Sequence, residues 1–345
     1  MLAANTTEES IYSYTPTDTL TMKAIVCTKY GSPDVLQLEE VKKPTPGDDE
    51  VLIKVYAASV NAGDWHLMRA DPCLVRLAFG LFKPRHRILG ADIAGRVEAV
   101  GRNVTQFQTG DEIFGDISGH GFGAFAEFAC VNENALALKP AGITFEQAAA
   151  VPSAAVTALQ GLRDHGKIQS GQKVLINGAS GGVGSFAVQI AKSFGADVTA
   201  VCSTGKMDRV RAMGADQVID YTQEDFTRNG KRYDLILAVN GYHPIADYKH
   251  SLSPRGIYVT SGGSMAQMFQ AMLLGPWMSN KKGKRMGNFL VRPNQKDLLF
   301  MKELLESSKV TPVIDRRYPL SEVADAIRYL EEGHARGKVV ITMKQ

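Results

Sequence analysis

The chain has 345 residues, 44% of them hydrophobic and 22% charged, with a formal net charge of +3. It is long enough for two domains with substantial cores, and the composition is that of an ordinary globular protein. So small a charge calls for neither a nucleic acid nor a membrane surface as partner, and the basic cluster Lys281, Lys282, Lys284 and Arg285 reads as a solvated loop.

The first twenty residues, MLAANTTEESIYSYTPTDTL, are polar and lack both a basic start and an apolar core, so residues 1–21 read as a flexible tail rather than a signal peptide. From Met22 the runs MKAIVCTK, LQLEEV and EVLIKVYAASV, separated by Gly-Ser-Pro and Pro-Thr-Pro-Gly turns, predict an antiparallel β domain. Ile93 to Val100, Glu112 to Phe114 and Ala124 to Val131 continue it. Between them, Leu67 to Ile88 mixes apolar residues with Arg76, Lys83, Arg85 and Arg87, and reads either as a mobile lid or as a packed connection. The cysteines Cys27, Cys73, Cys130 and Cys202 are far apart and form no CxxC pair, which suggests neither a disulfide framework nor a zinc lobe. A reducing compartment, the cytoplasm, is expected.

Near Pro140 the character changes. Thr144 to Arg163 reads as helical, with Thr144 as N-cap, Gln147 at the capping-box position and an interruption at Pro152. Strands at 174–177, 198–202, 217–220, 234–239 and 256–260 then alternate with helices at 185–194, 206–212 and 244–252, which predicts a doubly wound parallel sheet. Met265 to Met278 is the most apolar later stretch, too short to span a bilayer and broken by Gly275-Pro276. After an irregular region come a periodic helix from Asn294 to Ser307, a β-like run, a helix from Ser321 to Glu332 with Ser321 as N-cap, and a closing strand from Lys338 to Met343.

Within this series VLINGASGGVGSFAVQIAKSFG, Val174 to Gly195, carries chemistry. A buried strand runs into a turn with Gly178, Gly181, Gly182 and Gly184, and a helix follows from Ser185. An anion at Ser180, Gly181, Gly182, Val183 and Gly184 would meet backbone N–H groups and the positive end of a helix dipole. The spacing is GxxGxxG rather than GxGxxG. The preceding strand and the second strand at Ala196 to Val201 nonetheless supply the βαβ context of a dinucleotide site.

Taken together, SVNAGDW, ILGADIAGRVEAVG, GDEIFG, AAVPSAAVTALQGL, NGASGGVGSFAVQIAK, GADQVIDYTQEDF and HARGKVVI make the chain resemble the medium-chain dehydrogenase/reductase superfamily, in its zinc-independent quinone oxidoreductase-like branch. The resemblance implies a Rossmann domain, residues 144–309, and a GroES-like antiparallel β-barrel catalytic domain, residues 22–143 with 310–345. It also implies a homodimer. Where zinc alcohol dehydrogenases carry Gly-His-Glu, this chain has Gly90-Ala91-Asp92; Asn61 replaces the first cysteine ligand, and the third position falls near Ser153. Zinc lacks its usual ligands at all three places, so no metal is expected.

Cofactor choice follows from the end of the second strand. No carboxylate occurs in Val201 to Lys206, whereas Ser203, Lys206 and Arg209 are donors for a 2′-phosphate, so NADPH is expected over NADH. By resemblance Tyr221 contacts that phosphate, Thr157 lies near a phosphate, and Asn240 and Gly262, at strand ends, lie along the nicotinamide half. Lys338 is carried over too, although GKVV reads equally as a helix exit and a strand start. Asn61 and Asp64 match the family's NxxD motif facing nicotinamide and substrate, with Asp64 open to a purely structural role. His66 stands where some zinc enzymes carry a relay histidine, but Gly63 replaces the preceding hydroxyl and breaks the relay.

The expected activity is hydride transfer from NADPH to a quinone or an α,β-unsaturated carbonyl, which needs no metal to polarise it. Leu74 to Phe82 and Met265 to Trp277 are candidates for the apolar pocket or for a subunit contact. Two alternatives stand beside it: an NADPH-binding protein with little turnover, and a metal-free NADP-dependent alcohol dehydrogenase.

Overall fold

The computed structural model describes residues 21–262, 265–279 and 283–344, and the side chains of Met265, Ala266, Met268 and Phe269 are not described. The N-terminal tail, short of Thr21, and Lys281 and Lys282 of the basic cluster lie outside the described residues.

The chain opens with β1 (Thr21–Cys27), β2 (Leu36–Lys42), β3 (Glu50–Val60), β4 (Asp92–Val100), β5 (Glu112–Asp116), β6 (Phe128–Asn132) and β7 (Leu136–Leu138). There follow β8 (Lys173–Asn177), β9 (Asp197–Cys202), β10 (Gln217–Asp220), β11 (Tyr233–Ala238), β12 (Leu252–Thr260) and β13 (Arg285–Asn288); β14 (Ile314–Pro319) and β15 (Lys338–Thr342) close it. β1 and β2 pair with each other. A second sheet has the order β14-β15-β3-β4-β5-β7, with β6 also on β3, so the last two strands return to the sheet begun by the first part of the chain. The third sheet is parallel throughout, in the order β10-β9-β8-β11-β12-β13. This is the doubly wound order, with its switch point beside β8.

β8 lies in the middle of that sheet and is covered on both sides. Val174 and Ile176 enter the core on one face and Leu175 the core on the other. A strand buried on two faces reads as a continuous apolar run, hence VLI without alternation. The helices Phe145–Ala149 and Pro152–Leu159 join the two larger sheets: Ala148, Ala149 and Ala150 pack in one core with Ala57 and Ala94 of the β domain. Small side chains there let the helix backbone lie close between the sheets. The capping box of Thr144 and Gln147 forms as expected, with reciprocal bonds of 3.2 and 2.9 Å.

Several expectations are corrected. The helix after the glycine turn starts at Gly182, not Ser185, so the glycines are its first turn. Gly275-Pro276 does not break Met265–Met278, which is one helix. Pro276 sits in its final turn, and Gly275 is small because a Cβ there would stand 2.9 Å from the Met286 carbonyl oxygen. Part of the supposed irregular region is β13, and Arg285 of the supposed solvated loop belongs to it. Ser321 is not an N-cap, because a 3-10 turn, Leu320–Glu322, precedes the helix Val323–Glu331. β14 and β15 are parallel rather than antiparallel, since that helix crosses over between them. Leu67 to Ile88 contains the end of the helix Ala62–Arg69 and the short helix Val75–Phe79. Among the described residues no helix is long and apolar enough to cross a membrane.

Candidate active site

At the carboxyl end of β8 the chain turns through Gly178, where φ is +87° and a Cβ would stand 2.7 Å from Cβ of Asn240. The following helix, Gly182–Ser193, has no side chain capping its N-terminus at Gly181. Its first N–H groups are therefore the kind that receive an anion. Gly184 could carry no side chain, since its Cβ would lie 2.0 Å from the Gly178 carbonyl oxygen, while at Gly181 the nearest atom is 3.7 Å away. Val183 occupies the same first turn, half-buried.

A cleft of about 490 Å³ opens beside this turn. Ser180, Gly181, Ser203, Lys206, Tyr221 and Asn240, all named from sequence, line it together. Gly262 lies past the end of β12 with φ +132°, a backbone shape that suits glycine. Thr157 is nearly buried in the helix Pro152–Leu159, its hydroxyl donating to the Ser153 carbonyl at 2.7 Å.

At the far end of the cleft, Lys206 donates to the Ala335 carbonyl at 3.3 Å. Burial, then the charge of Arg336, holds its ammonium below the ordinary lysine range. Asp208 is exposed and paired with Arg211 at 2.7 Å. A nearer carboxylate belongs to the next strand: Asp220, ending β10, accepts from Thr204 Oγ1 and from Thr222 N and Oγ1. Those bonds engage both of its carboxylate oxygens.

The second centre forms where β3, β4 and β15 meet. Ser59 and Asp92 face each other in the β3–β4 register, and Ser59 Oγ donates to Asp92 Oδ2 at 2.7 Å. Asn61 Nδ2 donates to the same oxygen at 2.9 Å, and Ser153 N donates to Oδ1 at 2.8 Å. The Lys338 ammonium completes the group, bonding Asn61 Oδ1 and, at 3.2 Å, Asp92 Oδ2. Asp92 and Lys338 are 0% and 3% exposed, so this is a buried ion pair whose hydrogen bonds are largely satisfied within the protein. The stem of Lys338 also lies against the glycine turn: a Cβ at Gly182 would stand 3.1 Å from Lys338 Cδ. One lysine thus touches both centres.

Asp64 is also buried, and its Oδ2 accepts from Asn61 N at 2.7 Å across the start of the helix Ala62–Arg69. Burial pushes its carboxyl up to about 7; the Asn61 N–H opposes that and the Asp92 charge adds to it. Asp116, whose Oδ2 accepts from Ser153 Oγ at 2.7 Å, is raised as well, by burial first and Asp92 second. An acid with a folded pKa above its unfolded value favours folding fully below the unfolded value and loses that contribution as pH rises through the folded one. Stability should therefore fall between about pH 5 and about pH 8, and Asp64→Asn should flatten the fall, leaving the part due to Asp116. Urea denaturation at the two pH values checks this, and an unchanged slope in the variant would count against it.

His66 is committed elsewhere, with Nδ1 2.6 Å from the Asp71 carbonyl oxygen and its ring stacked on Trp65 at 3.6 Å. Tyr56 stacks on Phe145 at 4.5 Å. Leu77, Leu81 and Phe82 are exposed on a separate groove with Lys83, Arg85 and Arg87. Met272, Leu273, Leu274 and Trp277 are exposed on the helix Met265–Met278. None of the described side chains of either segment lines the cleft beside the glycine turn.

Sequence reasoning missed Ser59, Asp92 and Asp116 as parts of one network. For Ser59 and Asp92 the signal available was polarity out of place, a polar residue near the end of the run KVYAASV and an acid inside ILGADIAG.

Comparison with known proteins fits this geometry. The family described as alcohol dehydrogenase GroES-like domain matches residues 47–141, and that described as zinc-binding dehydrogenase matches residues 213–341. A 2-methylene-furan-3-one reductase from Solanum lycopersicum is 38% identical over 93% of this chain and 79% of that protein. An NADPH-dependent alkenal/one oxidoreductase from Arabidopsis thaliana is 36% identical over the same shares. Among solved structures, a quinone oxidoreductase from Coxiella burnetii aligns with a TM-score of 0.83 and 30% identity, over 94% of this chain and all of that one.

The metal in the second family's description does not fit this donor set. Asn61 and Asp92 give their oxygens to an ammonium, and a divalent cation placed among them would meet the Lys338 charge. Among the described residues no group of three or more His, Cys, Asp and Glu is arranged to hold a metal ion. By its sequence, its two matched families and its fold, the chain belongs to the medium-chain dehydrogenase/reductase superfamily, in the quinone and alkenal oxidoreductase-like branch that does without zinc.

Proposed function

We propose that this protein is an NADPH-dependent reductase of quinones and α,β-unsaturated carbonyl compounds. The observation that carries the reading is a cleft joining an uncapped glycine turn to a second-strand end that offers Ser203 and Lys206, with Tyr221 beside them after β10. The names of the relatives point to the same chemistry. Bound NADPH supplies the hydride.

The chain's residues do the rest. Gly181, Gly182 and Gly184, with Ser180 and Val183, receive the pyrophosphate on backbone N–H groups. Ser203, Lys206 and Tyr221 receive the 2′-phosphate. Asn240, Gly262 and Thr157 border the remainder of the cofactor. Asn61 is locked by Lys338 and Asp92, and its backbone by Asp64, so Asp64 acts as a positioning residue. Lys338 belongs to this locked centre and lies against the pyrophosphate turn. A substrate oxygen beside it would meet preset donors rather than a metal.

The test is NADPH consumption with a panel of quinones and 2-enals, with NADH run beside it. Ser203→Asp sharpens it: a carboxylate there should raise the KM for NADPH more than about tenfold, because opposed like charges cost kilocalories, and should spare NADH. No oxidation of NADPH across the panel, or equal effects on both cofactors, would sink the reading.

The division into residues 22–143 with 310–345 and 144–309 belongs to the same proposal, supported by the return of β14 and β15 to the sheet of β3. So does a cytoplasmic site, supported by four free thiols. A homodimer is part of it as well. β13 ends its sheet with one unpaired side, and exposed Met272, Leu273, Trp277 and Leu290 belong to the adjoining helix and the residues just after the strand. Sedimentation equilibrium should give twice the chain mass, and Trp277→Glu should shift it towards the monomer.

A further inference from the structure

Arg209 reads from sequence as one more donor to the 2′-phosphate, but the structure gives it a different partner. Its Nη1 donates to the Arg336 carbonyl at 2.6 Å, and Asp315 stands 4.0 Å away. Asp315 in turn accepts from Arg336 N at 2.8 Å and from the Tyr329 hydroxyl at 2.7 Å. Lys206, on the same side, holds the preceding carbonyl, that of Ala335. Two cations beside the parallel sheet therefore grip consecutive peptide units of a segment that enters β15.

That segment has little slack. Gly337 has φ +141°, and a Cβ there would lie 2.4 Å from the Val313 carbonyl oxygen, to which Lys338 N donates at 2.8 Å. Only two residues separate the gripped Ala335 carbonyl from Lys338, at most about 3.6 Å of chain for each. A displacement at Ala335 and Arg336 is thus passed on to Lys338, whose ammonium fixes Asn61 and Asp92.

We propose that Arg209 is a positioning residue for the reaction, holding the strap Ala335–Gly337 so that Lys338 is seated against Asn61 and Asp92. Lys206 plays two parts, since one of its three N–H donors holds the strap and the others, without a protein partner among the described residues, serve the phosphate. Arg209 works on the active centre from the opposite end of the cleft without touching substrate. The proposal rests on the reductase reading above.

The experiment compares the full-length protein with Arg209→Gln, Arg209→Lys and Arg211→Gln, using saturating NADPH and, separately, NADH, which has no 2′-phosphate. Arg209→Gln should lower kcat with both cofactors by at least about threefold, since small misplacements of positioned groups cost turnover. Arg209→Lys, which keeps one donor for the Arg336 carbonyl, should restore most of the loss. Arg211→Gln, which alters only the exposed pair with Asp208, should leave kcat unchanged. Hydrogen exchange of the cofactor-free protein gives a reading independent of activity: amides 335–339 should exchange faster in Arg209→Gln and recover in Arg209→Lys. An Arg209→Gln variant that raises only the KM for NADPH, with kcat and exchange unchanged, would make Arg209 a phosphate ligand and overturn the proposal. If the unaltered protein oxidises no NADPH, the reductase reading fails, while the exchange data still decide whether Arg209 holds the strap.

Discussion

Replacing Lys338 by methionine should destabilise the protein by about 3–5 kcal/mol, the range for a buried ion pair that loses one partner. The stem is nearly matched in size, so the change is chiefly electrostatic. Asp92, 0% exposed, would be left with the Ser59 hydroxyl, the Asn61 amide and the Ser153 N–H, but without a counter-charge. Asn61 Oδ1 would lose its donor as well. Adding Asp92→Asn removes the stranded charge and should recover a good part of the loss, although asparagine cannot accept from all three donors. Urea denaturation of the two single variants and the double variant measures the coupling. A cost for Lys338→Met of under about 1 kcal/mol, the range of exposed pairs, would show that the pair is not the buried centre described. Turnover should fall with it, because Asn61 keeps its Nδ2 bond to Asp92 but loses the hold on Oδ1.

Substitutions in the glycine turn should separate folding from cofactor binding. Gly184→Ala drives a methyl to within 2.0 Å of the Gly178 carbonyl oxygen, so backbone must move. Overpacking of this kind costs about 1–3 kcal/mol, and here it also displaces the helix start proposed to receive the pyrophosphate. Stability and NADPH affinity should therefore both drop, affinity by at least about a hundredfold, equivalent to two steps of 1.4 kcal/mol. Gly181→Ala meets nothing closer than 3.7 Å, and its φ of −81° suits any residue. Stability should stay within about 0.5 kcal/mol of the unaltered chain. Its methyl would stand in the cleft beside the turn, so affinity should still fall. Thermal melts with fluorescence titration of NADPH check both variants, and Gly184→Ala binding like the unaltered protein would refute the account of the turn.

The two centres differ in how legible they were. The strand, glycine turn and helix from Val174 to Ser193 could be read because each signal is local: an apolar run, glycines where the chain turns, and apolar residues at helical spacing. Even there the helix start was placed three residues late, since glycine lowers helix propensity and reads as a turn. The same habit of taking glycine and proline as stops hid the end of the helix Met265–Met278, where Gly275 serves a close approach to Met286. Asn61 and Asp64 read from sequence as groups facing nicotinamide and substrate, with Asp64 open to a structural role. The structure turns Asn61 towards Lys338 and Asp92, and buries Asp64 beneath the start of a helix.

By itself the sequence determined the doubly wound domain, the glycine turn, the uncharged end of the second strand and the lack of zinc ligands at Asn61, Ala91 and Ser153. The first three follow from residues close together in the chain, and the last from the family resemblance, position by position. Only the tertiary structure decided what Asn61 and Asp92 bond instead. Lys338 reaches Asn61 and Asp92 across 277 and 246 positions of sequence. No periodicity or spacing records such a meeting, because it arises when β15 returns to pair with β3, and GKVV reads equally as a helix exit and a strand start until that strand is placed.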